Sequence, residues 1–290
     1  MFKGSIVAIV TPFKDGKFDE KAYEQLIQWH IQQGTDAIVA VGTTGESATL
    51  TYEEHFRVIE VAIKAANKRI PIIAGTGANA TEETIMMTRE AEKMGADGAL
   101  LVAPYYNKPT QEGIYRHYKA VADAVGIPLI LYNVPGRTAV NITPDTVARL
   151  AEIENIVAIK EASGNIRQVS DIIRLCGDKI TVLSGDDFTT FAIMMLGGKG
   201  VISVTANIVP DKVAALCKAC LEGKLEEARK LHFELEPLNA AMFIETNPIP
   251  VKTALAMMGK IAEELRLPLC EMAPQNKEKL KGILQKFGLI

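Results

Sequence analysis

A chain of 290 residues, 48% hydrophobic and 23% charged, has the composition of a globular enzyme with material for a large core. Its net charge of −3 excludes a broad basic face for nucleic acid, and no apolar run approaches the ~18 residues of a membrane span. The first residues join Lys3 to a short apolar run that stops at Pro12, without the features of a secretory signal, so a cytoplasmic protein is expected.

Short apolar runs rich in β-branched residues recur about every 20 to 35 residues, each followed by a stretch of helical period. Strands are predicted at 5–12, 36–41, 70–75, 98–103, 128–133, 156–161, 180–185 and 200–204, eight in all. They are almost continuously apolar, as strands buried on both faces of a parallel sheet are. The intervening helices have readable starts. Thr51 with Glu54 makes a capping box, Thr143 precedes Pro144 at the first helical position, and Asn165 with Gln168 repeats the capping spacing. Eight β–α units joined by right-handed crossovers predict an α/β fold, a (β/α)8 TIM barrel over residues 1–223. A doubly wound open sheet is the alternative, because strand number alone does not enforce closure. Residues 224–290 carry no strand pattern and read as a C-terminal helical extension, punctuated by Pro237, Pro248, Pro250, Pro268 and Pro274.

Of the four cysteines, Cys217 and Cys220 form a C-x-x-C, a spacing that zinc and redox sites share. They fall in an amphipathic helical pattern over 211–222, where positions i and i+3 simply share a face, and no second Cys or His pair completes a zinc set. The four histidines, at 30, 55, 117 and 232, are dispersed and form no H-E-x-x-H. No metal is expected.

Active residues of a barrel sit at the C-terminal ends of its strands. Strand two ends in Gly42-Thr43-Thr44-Gly45-Glu46-Ser47, strand five in Tyr132-Asn133-Val134-Pro135-Gly136-Arg137-Thr138, and strand seven in Ser184-Gly185-Asp186-Asp187. Strand six carries Lys160 among Ile and Val, with Ile156, Ala158 and Lys160 on one face by period 2. A lysine there is either half of an ion pair with a neighbouring strand's carboxylate or a nucleophile. Apolar surroundings disfavour a charged amine, which is what imine chemistry needs, and the Schiff-base reading is the one adopted. Tyr132 shares a face with Ile130 on the adjacent strand, either as a proton carrier or as a packed ring. Gly42-Thr43-Thr44-Gly45 is either a carboxylate cradle, with backbone N–H groups and hydroxyls as donors, or a plain glycine turn.

Two motifs are set aside. Gly75-Thr76-Gly77-Ala78-Asn79-Ala80 matches a dinucleotide fingerprint, but Asp97, the nearest acidic residue, stands at the beginning of the next strand and not at its end. Gly197-Gly198-Lys199-Gly200 precedes strand eight, on the wrong rim for a barrel phosphate site.

With these strings assembled, and with Pro104-Tyr105-Tyr106-Asn107-Lys108-Pro109, Ile159-Lys160-Glu161-Ala162 and Gly200-Val201-Ile202-Ser203-Val204-Thr205-Ala206-Asn207 beside them, the chain resembles the dihydrodipicolinate synthase family from about residue 2 to residue 290. That family condenses pyruvate with L-aspartate 4-semialdehyde on the route to diaminopimelate and lysine. The resemblance implies that Lys160 forms the pyruvate imine and that Tyr132 moves protons, linked through Thr43 to a Tyr106 that reaches in from a neighbouring subunit. It further implies that Thr44 holds the pyruvate carboxylate, that Gly185 and Ile202 line the pyruvate pocket, and that Arg137 takes the semialdehyde's carboxylate. The imine is itself the electron sink, so no cofactor is implied. The nearest rival is another pyruvate aldolase such as N-acetylneuraminate lyase, for which the Gly136-Arg137-Thr138 loop and the second threonine of the cradle are not expected. A barrel acting only as a binding protein is the rival from another class, and the intact Lys, Tyr and Thr set argues against it.

The same resemblance implies a homo-oligomer, a tetramer built as a dimer of dimers. It also implies an L-lysine inhibitor site in a cleft between subunits, at Ser47, Ala48, Tyr52, His55, Asn79, Glu83 and Tyr105. Tyr52 departs from the His or Trp that inhibited relatives often carry.

Overall fold

The computed structural model describes residues 2–290. Its strands are β1 (Gly4–Ala8), β2 (Phe13–Lys14), β3 (Lys17–Phe18), β4 (Ala37–Ala40), β5 (Ile72–Gly75), β6 (Gly98–Val102), β7 (Leu129–Asn133), β8 (Ile156–Glu161), β9 (Thr181–Ser184) and β10 (Gly200–Ser203). Eight of them are parallel and close on themselves in the order β1-β10-β9-β8-β7-β6-β5-β4, with helices outside. The barrel is therefore the correct alternative and the open sheet is not. The first predicted strand is shorter than expected: the chain leaves the barrel after Ala8 and makes the small antiparallel hairpin β2–β3 before the first helix.

Period 2 sorts the side chains. Ile6, Val39, Ile73, Leu100, Ile130 and Leu183 fill the barrel interior, while Val7, Ile38, Leu101, Leu131, Ile159 and Val182 face the helices. Strand β8 breaks the rule once. Its register against β7 slips between Leu129 and Ile130, where Leu129 pairs with Ile156 and Ile130 with Ala158. The bulge falls on Val157, which packs against the interior cluster, so Ile156 turns outward and does not share the face of Lys160 as simple alternation predicts. From Ala158 onward the alternation resumes, and Lys160 points inward.

The helix starts hold as physical devices. Thr51 Oγ1 accepts from Glu54 N and the Glu54 carboxylate from Thr51 N, Pro144 opens its helix, and Asn165 accepts from Gln168 N. Gln168 does not return the bond as a capping box would, because its side chain turns to Asn141 and Glu161. Cys217 and Cys220 lie on helix Pro210–Leu221 with their thiols in the core, where burial raises Cys220 to about 11 and Cys217 well above the ordinary value. Helices Leu225–Met242, Ile249–Met257 and Pro274–Lys286 pack into that same core, contributing Leu235, Leu238, Val251 and Leu280. Among the described residues no helix is long and apolar enough to cross a membrane.

Candidate active site

Lys160 is 6% exposed at the C-terminal mouth of the barrel, directly opposite Tyr132 in the β7–β8 ladder. Its Nζ stands 4.2 Å from the centroid of the Tyr132 ring. Among the described residues it forms no ion pair. The neighbouring carboxylate, Glu161, is on the other face, where it accepts from Asn133 Nδ2 at 2.9 Å, Gln168 Nε2 at 3.2 Å and Ser163 N at 2.7 Å. The amine thus faces an aromatic ring, and the carboxylate next to it in sequence is already satisfied.

Gly185 follows β9, its N–H donating to Glu161 O at 2.8 Å. A Cβ here would stand 2.7 Å from Ala162 Cβ and 3.0 Å from Lys160 Cγ, so the absence of a side chain is what admits the lysine stem. Ile202, 1% exposed on β10, belongs to the interior cluster that holds Tyr132. The end of β10 is fixed by the fully enclosed Asp187, which accepts from Ser203 Oγ and from the N–H groups of Val204 and Thr205. Burial pushes the Asp187 carboxyl up while these bonds pull it down.

The chain leaves β4 through Val41 at φ 51°, a left-handed conformation that for a β-branched residue costs about 1–3 kcal/mol. The turn that follows has features of both readings, the cradle and the glycine turn. Gly45 N donates to Gly42 O, Glu46 N to Thr43 O and Ser47 N to Gly42 O, so these N–H groups serve the turn itself. The hydroxyls and N–H groups of Thr43 and Thr44 are not spent on the turn in this way. Glu46, at φ 55° and 3% exposed, pairs with the equally buried Lys252 and accepts from Arg266 N at 3.1 Å. Both Lys252 Nζ and the Arg266 guanidinium lie over the Phe13 ring, at 4.3 and 4.2 Å, and Arg266 holds Glu54 with two bonds of 2.6 Å.

Asn247 was not legible in the sequence as a site residue. It is 5% exposed, its Nδ2 donates to Thr44 Oγ1 at 3.0 Å, and its backbone carbonyl accepts from Arg137 Nη2 at 3.2 Å. Arg137 itself is exposed on the short helix Pro135–Thr138. Thr43, Arg137 and Asn247 line a cavity of about 680 Å³, and so do Ser47, Ala48, Tyr52, His55, Glu83 and Tyr105. Lys160, Tyr132 and Thr44 do not line it and are buried in the barrel mouth. Tyr106 is 90% exposed, on a backbone at φ 70°.

Within that cavity Tyr52 OH donates to Glu83 Oε1 at 2.8 Å, a bond that raises the Tyr52 phenol. Tyr105 is raised by burial and by Glu83. His55 Nε2 donates to Gly75 O at 2.8 Å, and burial lowers the imidazole to about 4, so it is neutral near pH 7. Asn79 is not on the lining, and its carbonyl accepts from Asn107 Nδ2. The discarded motifs are placed as expected: the Asp97 carboxylate accepts from Ile72 N at the opposite rim, beside Lys3 and Pro128.

Comparison with known proteins identifies the family and the fold. The model of the dihydrodipicolinate synthetase family matches residues 1–287. The 4-hydroxy-tetrahydrodipicolinate synthase of Thermodesulfovibrio yellowstonii is 71% identical over 290 residues, all of both chains. The dihydrodipicolinate synthase of Acinetobacter baumannii, solved in complex with pyruvate, superposes with a TM-score of 0.98 at 54% identity over 100% of both chains. That of Cyanidioschyzon merolae, solved with lysine bound, does so with a TM-score of 0.97 at 41% identity, covering 100% of this chain and 99% of its own. With fold, sequence and length agreeing from end to end, this chain belongs to the dihydrodipicolinate synthetase family.

Proposed function

We propose that this protein condenses pyruvate with L-aspartate 4-semialdehyde to 4-hydroxy-tetrahydrodipicolinate through an imine on Lys160, as a cytoplasmic lyase of diaminopimelate and lysine biosynthesis. The observation that carries this reading is a buried lysine at the barrel's catalytic rim whose amine faces a tyrosine ring at 4.2 Å and meets no carboxylate among the described residues. The Lys160 amine attacks the pyruvate ketone, and the carbinolamine loses water to give the imine. Tyr132 hands protons to and from that intermediate, through Thr43 and Tyr106 of the partner subunit. Thr44 donates to the pyruvate carboxylate, while Gly185 and Ile202 bound the pocket. Loss of a methyl proton gives the enamine, whose carbon attacks the aldehyde carbon, and the aldehyde oxygen takes up a proton. Attack of the substrate's own amine on the imine carbon then closes the ring and releases Lys160. The imine carries the electrons throughout, so the reading requires no cofactor and no metal.

The exposed Tyr106 supports an assembly in which its ring enters a neighbour. That this assembly is a tetramer made as a dimer of dimers rests on the resemblance to the family. The Tyr52–Glu83–Tyr105 cluster supports an L-lysine inhibitor site, since Glu83 offers a carboxylate to an ammonium group and Tyr105 a hydroxyl to a carboxylate. The test is borohydride reduction in the presence of pyruvate, with peptide mapping, beside a coupled assay with aspartate semialdehyde and a parallel arm with N-acetylneuraminate. One reduced adduct on Lys160 and turnover of the semialdehyde alone are expected. An adduct on another lysine, or none, refutes the mechanism, and cleavage of N-acetylneuraminate refutes the substrate.

A further inference from the structure

We propose that Asn247 completes the subsite for the amino-acid aldehyde, its side-chain oxygen accepting from the substrate's α-ammonium group while the rest of the residue holds Thr44 and Arg137. The inference rests on reading Arg137 as the residue for that substrate's carboxylate. Asn247 comes from the segment that precedes helix Ile249–Met257, and it is 5% exposed. Its N–H and backbone carbonyl are both engaged, to Thr44 Oγ1 and from Arg137 Nη2. Its Oδ1 is not. Of the eight buried side-chain polar atoms without a partner among the described residues, this is the one whose residue lines the cavity shared by Thr43 and Arg137. A buried amide oxygen left unpaired is unfavourable unless something that binds there supplies the donor.

The chemistry of the substrate supplies it. An α-amino acid carries carboxylate and ammonium on one carbon, so a site that holds the first with a guanidinium needs an acceptor close beside that guanidinium for the second. Asn247 meets this condition because Arg137 is bonded to its backbone at 3.2 Å. Of the carboxylates that line the same cavity, Glu46 is paired with Lys252, Glu83 accepts from the Tyr52 hydroxyl and Glu53 is exposed, and none of them bonds Arg137 as Asn247 does. The other buried carboxylates are engaged elsewhere, Glu161 with Asn133, Gln168 and Ser163, and Asp187 with Ser203, Val204 and Thr205. The neutral oxygen of Asn247 therefore takes the ammonium without placing an anion beside the substrate carboxylate. The bond to Thr44 has its own effect. Thr44 Oγ1 accepts from the amide, so its single proton is free to be donated to the first substrate's carboxylate.

The probes are L-aspartate 4-semialdehyde and succinate semialdehyde, which differ only in the ammonium group. For each variant the KM of the first is divided by the inhibition constant of the second, so that any general loosening through Thr44 or Arg137 cancels. Loss of a charge-assisted hydrogen bond predicts that this ratio rises on the order of ten- to a hundred-fold in Asn247→Ala. Asn247→Asp keeps an oxygen at this place and makes it an anion facing the ammonium, so the ratio should fall below that of the wild type. It carries the test if the alanine variant does not fold: a ratio below that of the wild type supports the assignment, and an unchanged or raised one overturns it. An unchanged ratio in a folded Asn247→Ala also overturns it. Wild-type protein that traps no pyruvate adduct refutes the enzymatic reading as a whole, whereas an active wild type with an unchanged ratio in the variant removes Asn247 alone.

Discussion

Replacing Lys252 with Met removes the ammonium that faces Glu46 while keeping an unbranched stem over the Phe13 ring. Both charges are almost fully enclosed, at 1% and 0% side-chain exposure, so water cannot take over from either. Breaking such a pair from one side costs about 3–5 kcal/mol, because the remaining charge is left uncompensated. At about 2–4 °C per kcal/mol for a large single domain, the melting temperature should fall by roughly 6–20 °C. The Glu46→Gln/Lys252→Met double variant should recover much of that loss, since it buries no lone charge. Scanning calorimetry on the three proteins gives both numbers. A pH series adds a sign. Burial holds Lys252 below the ordinary lysine value, and Glu46 opposes that pull. In Glu46→Gln the opposition is gone, and the unfolded chain binds the Lys252 proton more readily than the folded one. Stability of this variant relative to wild type should therefore rise as pH approaches the ordinary lysine range. A Lys252→Met protein that melts with the wild type, or a double variant no more stable than the single one, would refute the claim that the single substitution leaves an uncompensated buried charge.

Gly185→Ala should fold with a loss of about 1–3 kcal/mol from overpacking, and displacement of the Lys160 stem should slow imine formation by ~10²-fold. Rapid-mix borohydride trapping reads the rate, and a wild-type rate would show that the 3.0 Å approach to Lys160 Cγ is relieved elsewhere. Lys160→Ala protein mixed with Tyr106→Phe protein should regain activity once subunits exchange, because one site of the mixed pair then carries neither lesion. Absence of recovery after exchange, verified by native mass spectrometry, places Tyr106 in its own chain's site. L-lysine titrated at saturating pyruvate should inhibit partially, and Glu83→Ala should abolish the effect with turnover retained. Full activity at saturating L-lysine, with no heat of binding, would leave the Tyr52–Glu83 contact a structural one.

Eight apolar runs alternating with helical stretches were legible as a parallel sheet covered on both faces. Its closure is a matter of the β1–β4 and β1–β10 ladders, which no local pattern carries. The hairpin β2–β3 was not legible, since Lys14 and Lys17 give two-residue strands no apolar pattern to read. Lys160 stood out as a cation among Ile and Val, and alternation placed it correctly. The same alternation failed for Ile156, because a one-residue bulge leaves no mark in a run where every residue is apolar. The turn at Gly42–Ser47 was located, yet which N–H groups it keeps for itself depends on backbone angles such as φ 51° at Val41, where the residue type argues against the conformation. Asn247 and Lys252 were out of reach for a different reason. Their partners Thr44 and Glu46 lie 203 and 206 residues away, and neither helical period nor turn chemistry carries information over that distance.

That separation has a consequence for how the protein is made. Synthesis runs from the N-terminus, so all eight barrel strands leave the ribosome before Asn247, Lys252 and Arg266 exist. Until those residues arrive, Glu46 has no counter-ion, Thr44 lacks its amide neighbour and Arg137 lacks its carbonyl. The turn at Gly42–Ser47 has its own backbone bonds by then, but the contacts that tie Thr44, Glu46 and Arg137 to the rest of the molecule are still missing. Competence thus arrives with the last quarter of the chain, and a polypeptide halted before it would present a reactive amine in a mouth still unable to grip its substrate.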